Sequence, residues 1–309
     1  MRAAVIHSFG GLEVLRLEEV ARPAAIATEV VVRVRAIGTN PVEAYIRSGA
    51  FPLLRPPAIL GWDISGVIDE VTPGITRFAV GDEVFGMPMF PRAAGGYAEY
   101  VAAPSRQLIK KPAALDHVHA AALPLAGLTA WQALVDGAQL TAGQRVLIHA
   151  AGGGVGHLAV QIAKARGAHV IATASAAKHD FVRGLGADEV IDYHKVDFAS
   201  AVKDVDVVLE SVGGDYPTRS IDVLRRGGAL VTLVDRMNAG LAQRVIASGR
   251  RFIGVAVEPD VVGLEQLVAL VDRGALRVHV SHAIAFDQVA RAHELYAAGG
   301  VTGKIVLTI

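Results

Sequence analysis

The chain has 309 residues and no cysteine, with 30 Lys+Arg against 30 Asp+Glu and 52% hydrophobic residues. Zero formal charge gives no electrostatic reason to bind nucleic acid, whose affinity rests on Lys and Arg meeting phosphates. No run of ~20 apolar residues is present to span a bilayer, and without thiols there are no disulfides, iron–sulfur clusters or thiolate zinc sites. The N-terminus runs into a strand-like pattern with no secretory leader, so the expectation is a cytoplasmic protein of one large or two ordinary domains.

The first third is β-rich and punctuated by Gly and Pro. Val30–Ile37, Gly66–Val71, Asp82–Gly86 and Tyr97–Val101 read as short strands of a small barrel or sandwich. Near residue 115 the pattern changes. His119–Val135 is Ala- and Leu-rich and reads as helices broken near Pro124 and Gly127. Strands then alternate with helices. Strands are predicted at Arg145–Ala150, His169–Ala174, Glu189–Tyr193, Asp206–Glu210, Ala229–Val234 and Arg251–Val257, and helices at Val155–Arg166, Ala177–Leu185 and Gly263–Val271. Apolar strands alternating with helices mean a parallel sheet covered on both faces. The tail offers a helix at Gln288–Ala298 and a last strand at Lys304–Ile309.

The strongest motif is Gly152-Gly153-Gly154-Val155-Gly156, set between a strand and a helix. Read as G-x-G-x-x-G, its first position is Ala151. Gly153 lets backbone approach a pyrophosphate, Gly156 lets the helix pack on the strand, and the N–H groups at the helix start face the anion. An acid at the end of the next strand would grip the ribose 2′-hydroxyl of NAD. Here Ala172–Lys178 holds no acid, while Ser175 and Lys178 suit a 2′-phosphate. The predicted cofactor is therefore NADPH. Val212, Leu233 and Val234 close the fourth and fifth strands, where open α/β sheets bind ligands.

The segment Gly143–Lys164, with Leu147, Ala151–Gly154, Gly156, Gln161 and Lys164, resembles the signature of the zinc-independent quinone oxidoreductase (zeta-crystallin-like) branch of the medium-chain dehydrogenase/reductases. Ala36–Glu43, Tyr45–Gly49, Gly81–Phe85, Gly95–Val101, Leu185–Asp188 and Gly303–Leu307 extend the resemblance over essentially the whole chain. It implies a GroES-like β-barrel catalytic domain from residues 1–120, completed by 270–309, with a Rossmann doubly wound parallel sheet over 121–269. It also implies a substrate cleft between the domains and a homodimer built on strand 251–257.

The resemblance assigns Asn40 and Tyr45 to the acceptor carbonyl, Thr129 to the neighbourhood of the nicotinamide, and Tyr193 to the adenosine phosphate. Zinc-dependent relatives bind their metal through a Cys, a Gly-His-Glu segment and a second Cys or Asp. The corresponding positions here are Asn40, Gly61-Trp62-Asp63 and Leu125. The pairs His117/His119 and His279/His282 belong to no three-ligand pattern, so no metal is expected. Without a Lewis acid, the favoured acceptor is a quinone or other α,β-unsaturated carbonyl, which delocalises the charge left by hydride addition. Where related enoyl reductases carry a Tyr proton donor, this chain has Phe51 in Gly49-Ala50-Phe51, which weighs against an enoyl reductase of a biosynthetic pathway. A third reading is an NADPH-binding protein with a mainly structural or regulatory role.

Overall fold

The computed structural model describes residues 1–309. Sixteen strands follow in chain order. The first eight are β1 (Arg2–Ile6), β2 (Arg16–Glu19), β3 (Glu29–Thr39), β4 (Ala58–Ile59), β5 (Asp63–Val71), β6 (Glu83–Gly86), β7 (Tyr100–Pro104) and β8 (Leu108–Lys110). Next come β9 (Arg145–Ile148), β10 (His169–Ala174), β11 (Glu189–Asp192), β12 (Val205–Glu210), β13 (Leu224–Thr232) and β14 (Arg251–Gly254). The chain ends with β15 (Val280–Ala285) and β16 (Lys304–Thr308). It divides into two compact units, Met1–Leu128 with Glu258–Asp272 and Val278–Ile309, and Thr129–Val257 with Arg273–Arg277.

The first unit is a GroES-like domain organised around β3. Its Val30–Val32 and Val34 are buried while Arg33 and Arg35 face out, the alternation of a half-buried strand. β5 pairs along most of its length. β7 pairs antiparallel with Glu29–Arg33, and β16 pairs antiparallel with Ala36–Thr39. The C-terminal strand therefore closes onto the same strand as the N-terminal ones. A separate three-stranded sheet has the order β2-β1-β4. The helix Pro41–Ser48 leaves β3 directly. Asn40 is its N-cap, Pro41 occupies the first turn, and Gly49 ends it with φ +82°, a left-handed conformation that favours glycine.

The second unit is a Rossmann sheet, wholly parallel, with order β11-β10-β9-β12-β13-β14. Counted within this run the order is 3-2-1-4-5-6, which reverses between β9 and β12. Val146–Ile148 and Val207–Glu210 are buried on both sides, as strands covered by helices require. Leu147, Ile171, Val208 and Leu230 from the sheet pack with Phe198 and Val245 from the flanking helices.

Some elements differ from the sequence expectation in extent. The helical stretch predicted over 119–135 is two helices, His117–Ala122 and Pro124–Trp131, followed by a wide π turn at Gln132–Gly137. The break falls at Pro124, which lacks the N–H that would continue the first helix. The helix predicted from Ala177 opens as a single tight turn, Ala176–Lys178. The sixth strand of the sheet stops at Gly254, where a side chain would lie 2.2 Å from the carbonyl oxygen of Arg236. The sequence divides the chain at 120 and 269, whereas the compact units divide at 128 and 257. The helix His117–Ala122 packs on β3 and β5, which places it with the first unit.

Candidate functional site

All six strands of the Rossmann sheet run the same way, so their carboxyl ends share one edge. Gly152–Gly156 follow β9, Ser175 and Lys178 follow β10, Tyr193 follows β11, Val212 follows β12, and Leu233 and Val234 follow β13. Every residue expected at the cofactor thus stands at that edge, except Thr129, which is buried on the helix Pro124–Trp131.

The glycine turn has a distinct physical reason at each end. A Cβ at Gly156 would lie 2.3 Å from the carbonyl oxygen of Ala150 and 2.7 Å from Cα of Ala151, so only glycine lets this helix start so close to its strand. No side chain caps the helix Gly156–Ala165; the first-turn N–H groups of His157 and Leu158 bond back to the carbonyls of Gly153 and Val155. At Gly153 the nearest atom is the Ala150 oxygen at 3.2 Å, so packing alone asks for glycine less there. A Cβ at Gly152 would meet Cδ of Lys178 at 2.7 Å. The aliphatic stem of Lys178 therefore lies across Gly152, and its partial burial pulls the ammonium below its ordinary pKa. Tyr193 is exposed and its ring lies 4.2 Å from that of His194. Beneath the turn, His149 is buried between the hydroxyls of Thr173 (3.1 Å) and Ser220 (3.2 Å), and burial pushes it down to about 3.

In the first unit the start of the helix Pro41–Ser48 is a closed polar cluster. Glu43 reaches back to accept from the backbone N–H of Asn40 at 2.6 Å, completing a capping box. Asn40 Nδ2 donates to Asp63 Oδ2 at 3.0 Å and approaches Glu43 Oε1 at 3.4 Å. Its Oδ1 accepts from the Lys304 ammonium, which also donates to the Thr39 carbonyl at 2.9 Å and lies 3.7 Å from Asp63. Tyr296 donates to the same Thr39 carbonyl at 2.8 Å, and Asp63 accepts the Leu125 N–H at 2.8 Å.

Asn40 is 4% exposed and engaged on every side, whereas Tyr45, on the same helix, is 59% exposed. Asn40 thus organises the helix start, and Tyr45 presents the open hydroxyl. The sequence reading missed the roles of Glu43 and Lys304. The N-x-x-E spacing of Asn40 and Glu43 was a readable capping signal; nothing local announced Lys304.

Burial raises the carboxyls of Glu43, to about 8, and of Asp63, and lowers the Lys304 ammonium. The attraction of Lys304 for the two carboxylates opposes all three shifts. One ammonium balances one carboxylate. Burial therefore works against both carboxyls being ionised at once, and the bonds Asp63 accepts from Asn40 and Leu125 favour the charge there.

The positions that would carry zinc do not fit it. Trp62 is fully buried, with its indole N–H donating to the Arg92 carbonyl at 2.7 Å and its ring 5.0 Å from that of Phe90. Asn40 and Asp63 are engaged as described, and Leu125 offers no donor atom. Nowhere are three or more His, Asp or Glu side chains gathered as a metal site.

Residues 26–113 match the alcohol dehydrogenase GroES-like domain family, and residues 185–307 match the zinc-binding dehydrogenase family. The chain is 34% identical to human quinone oxidoreductase over 327 aligned positions, covering 100% of this chain and 98% of that protein. Among solved structures, the quinone oxidoreductase from Coxiella burnetii superposes with a TM-score of 0.92 at 37% identity, covering 100% of this chain and 99% of that one. The Escherichia coli quinone oxidoreductase, solved in complex with NADPH, superposes at 0.91 with 29% identity over the whole of both chains. With a Rossmann sheet, a GroES-like unit and relatives of this kind along its full length, the chain belongs to the medium-chain dehydrogenase/reductases, in their quinone oxidoreductase branch, and is an NAD(P)-dependent oxidoreductase.

Proposed function

We propose that the protein is an NADPH-dependent, zinc-independent reductase of quinones or other α,β-unsaturated carbonyls. The observation that carries the cofactor choice is Lys178 lying across Gly152, at the end of a strand where no acid stands to grip a 2′-hydroxyl. When bound, NADPH supplies a hydride from its reduced nicotinamide. In this reading Gly153 and the start of the helix Gly156–Ala165 receive the pyrophosphate, Ser175 and Lys178 the 2′-phosphate, and Tyr193 flanks the adenosine. Thr129, Val212, Leu233 and Val234 form the surroundings of the nicotinamide.

On the acceptor side, the Tyr45 hydroxyl donates to the carbonyl, and Asn40 fixes the helix that carries it. An acceptor that spreads the incoming negative charge over a conjugated system needs positioning more than a Lewis acid. That is the chemistry left to a chain with Asn40, Trp62 and Leu125 at the zinc positions. A quinone also needs no protein proton donor, since its oxygens exchange protons with water, and this suits Phe51 better than an enoyl substrate does. We place the protein in the cytoplasm and as a homodimer.

The test is to mix the protein with NADPH and a panel of quinones, enones and aldehydes, and to follow loss of nicotinamide absorbance. The expected result is turnover fastest with quinones. Tight NADPH binding with no turnover of any acceptor would instead support a structural or regulatory role, and turnover confined to carrier-linked enoyl substrates would support a biosynthetic enoyl reductase.

A further inference from the structure

Glu210 ends β12, beside β9, where the strand order of the Rossmann sheet reverses. Its side chain is completely buried, and three donors converge on it. Oε1 accepts from the backbone N–H groups of Val212 at 2.6 Å and Gly213 at 2.7 Å, and Oε2 accepts from the Thr232 hydroxyl at 3.1 Å. The Glu210 carbonyl accepts the Leu233 N–H at 3.0 Å, and Thr232 Oγ1 in turn accepts the Asp235 N–H at 3.1 Å. One acidic residue thus fastens both the loop after β12 and the loop after β13.

The two loops are also pressed together. Gly213 and Gly214 are successive left-handed residues, with φ +81° and +64°. A Cβ at Gly213 would lie 3.1 Å from Cγ1 of Val234. The tips remain open, with Val212 45% and Val234 55% exposed. A buried carboxylate is costly unless its lone pairs are filled, and here they are filled almost entirely by the loops that carry these apolar tips.

We propose that Glu210 is the positioning residue of the nicotinamide end of the cofactor site. It holds Val212, Leu233 and Val234 as an apolar floor at the carboxyl edge of the sheet, where such folds bind their ligand. The proposal rests on the dinucleotide reading above. It separates the site into halves, with Glu210 acting on the nicotinamide half and Lys178 and Ser175 on the adenosine half.

The test is to titrate the full-length wild type, Glu210→Gln and Glu210→Ala with NADPH and with 2′,5′-ADP, a cofactor fragment that lacks the nicotinamide, and to record melting temperatures. Glu210→Ala is expected to weaken NADPH at least tenfold and leave 2′,5′-ADP within twofold. Glu210→Gln keeps an oxygen to accept from both loop N–H groups and is expected to stay within threefold of wild type for both probes. If Glu210→Ala does not fold, Thr232→Val releases only the second loop and should show the same contrast at a smaller size, threefold or more. Equal loss of both probes, or undiminished NADPH affinity, would overturn the proposal. A wild type that binds neither probe would instead refute the dinucleotide reading, and the role of Glu210 would fall with it.

Discussion

Lys178 reaches the edge of the Rossmann sheet along Gly152, and the partial burial of its stem weakens its hold on the proton. A dianionic phosphate beside it would reverse that effect, so its gain is specific to the phosphorylated cofactor. Lys178→Ala should cost ~1.5–3 kcal/mol of NADPH affinity, tenfold or more in Kd, and leave NADH almost unchanged, as isothermal titration with both cofactors would show. Equal losses would remove Lys178 from the 2′-phosphate. Glu43 makes a different kind of prediction. Its folded pKa, about 8, stands above its unfolded value near 4.5, so the folded state binds the extra proton between them. Stability therefore falls as pH rises through that window, by at most about 1.4 kcal/mol per pH unit. Burial of His149 and His293, lowered to about 3 and about 4, acts the other way, raising stability with pH up to about 6.5. The window from pH 6.5 to 8 lies above the histidines, and because Asp63 and Lys304 in the same cluster are shifted too, the difference from Glu43→Gln isolates the carboxyl. Urea midpoints should decline across it in the wild type and flatten in Glu43→Gln.

The turn between β9 and its helix shows two glycines with different duties. Gly156→Ala forces a methyl against the Ala150 carbonyl and the Ala151 Cα, and overpacking of backbone on backbone costs about 1–3 kcal/mol. Its melting temperature should drop by several degrees before any ligand is added. Gly153→Ala meets a single atom at 3.2 Å and should melt closer to wild type than Gly156→Ala while losing NADPH affinity, because in the proposed site its methyl would meet the pyrophosphate. If the two variants lose stability alike, the division is wrong. This element was legible in the sequence because everything it needs is local: a strand, a glycine run and a helix within about a dozen residues. The N-cap at Asn40 also carried a local signal, N-x-x-E, but the sequence reading placed Asn40 at the acceptor carbonyl instead. The break at Pro124 was legible in position, but not the π turn that follows it, which no residue pattern marks. Glu210 was read only as the end of a strand, since its partners Val212 and Gly213 meet it through backbone N–H groups that carry no sequence signal.

At the scale of the whole molecule, legibility failed where chemistry depends on distant chain segments. Asn40, Asp63 and Lys304 meet only because β16 returns to pair with β3, and a lysine 264 positions from Asn40 gives no local hint of that meeting. The two open edges of the Rossmann sheet carry a clearer signal. β11 ends one side and bears Glu189 and Asp192, with Asp188 just before it, charges that discourage another strand from pairing. β14 ends the other side with Phe252 and Ile253 half-buried, and the chain from there to Val257 has no charged residue. Arg251 opens this strand but bonds back to the Ala138 carbonyl at 2.9 Å, so an edge otherwise without charge invites a second copy, and a two-fold axis would repeat the contact on both partners. Ala256 is exposed at the end of this stretch, so a lysine there places a charge on each copy without disturbing the sheet. Sedimentation should give the wild type twice the 32.3 kDa chain mass, and Ala256→Lys should move toward the single chain with little change in melting temperature or NADPH affinity. A wild type that sediments as one chain at micromolar concentration would show that this edge is left bare in solution.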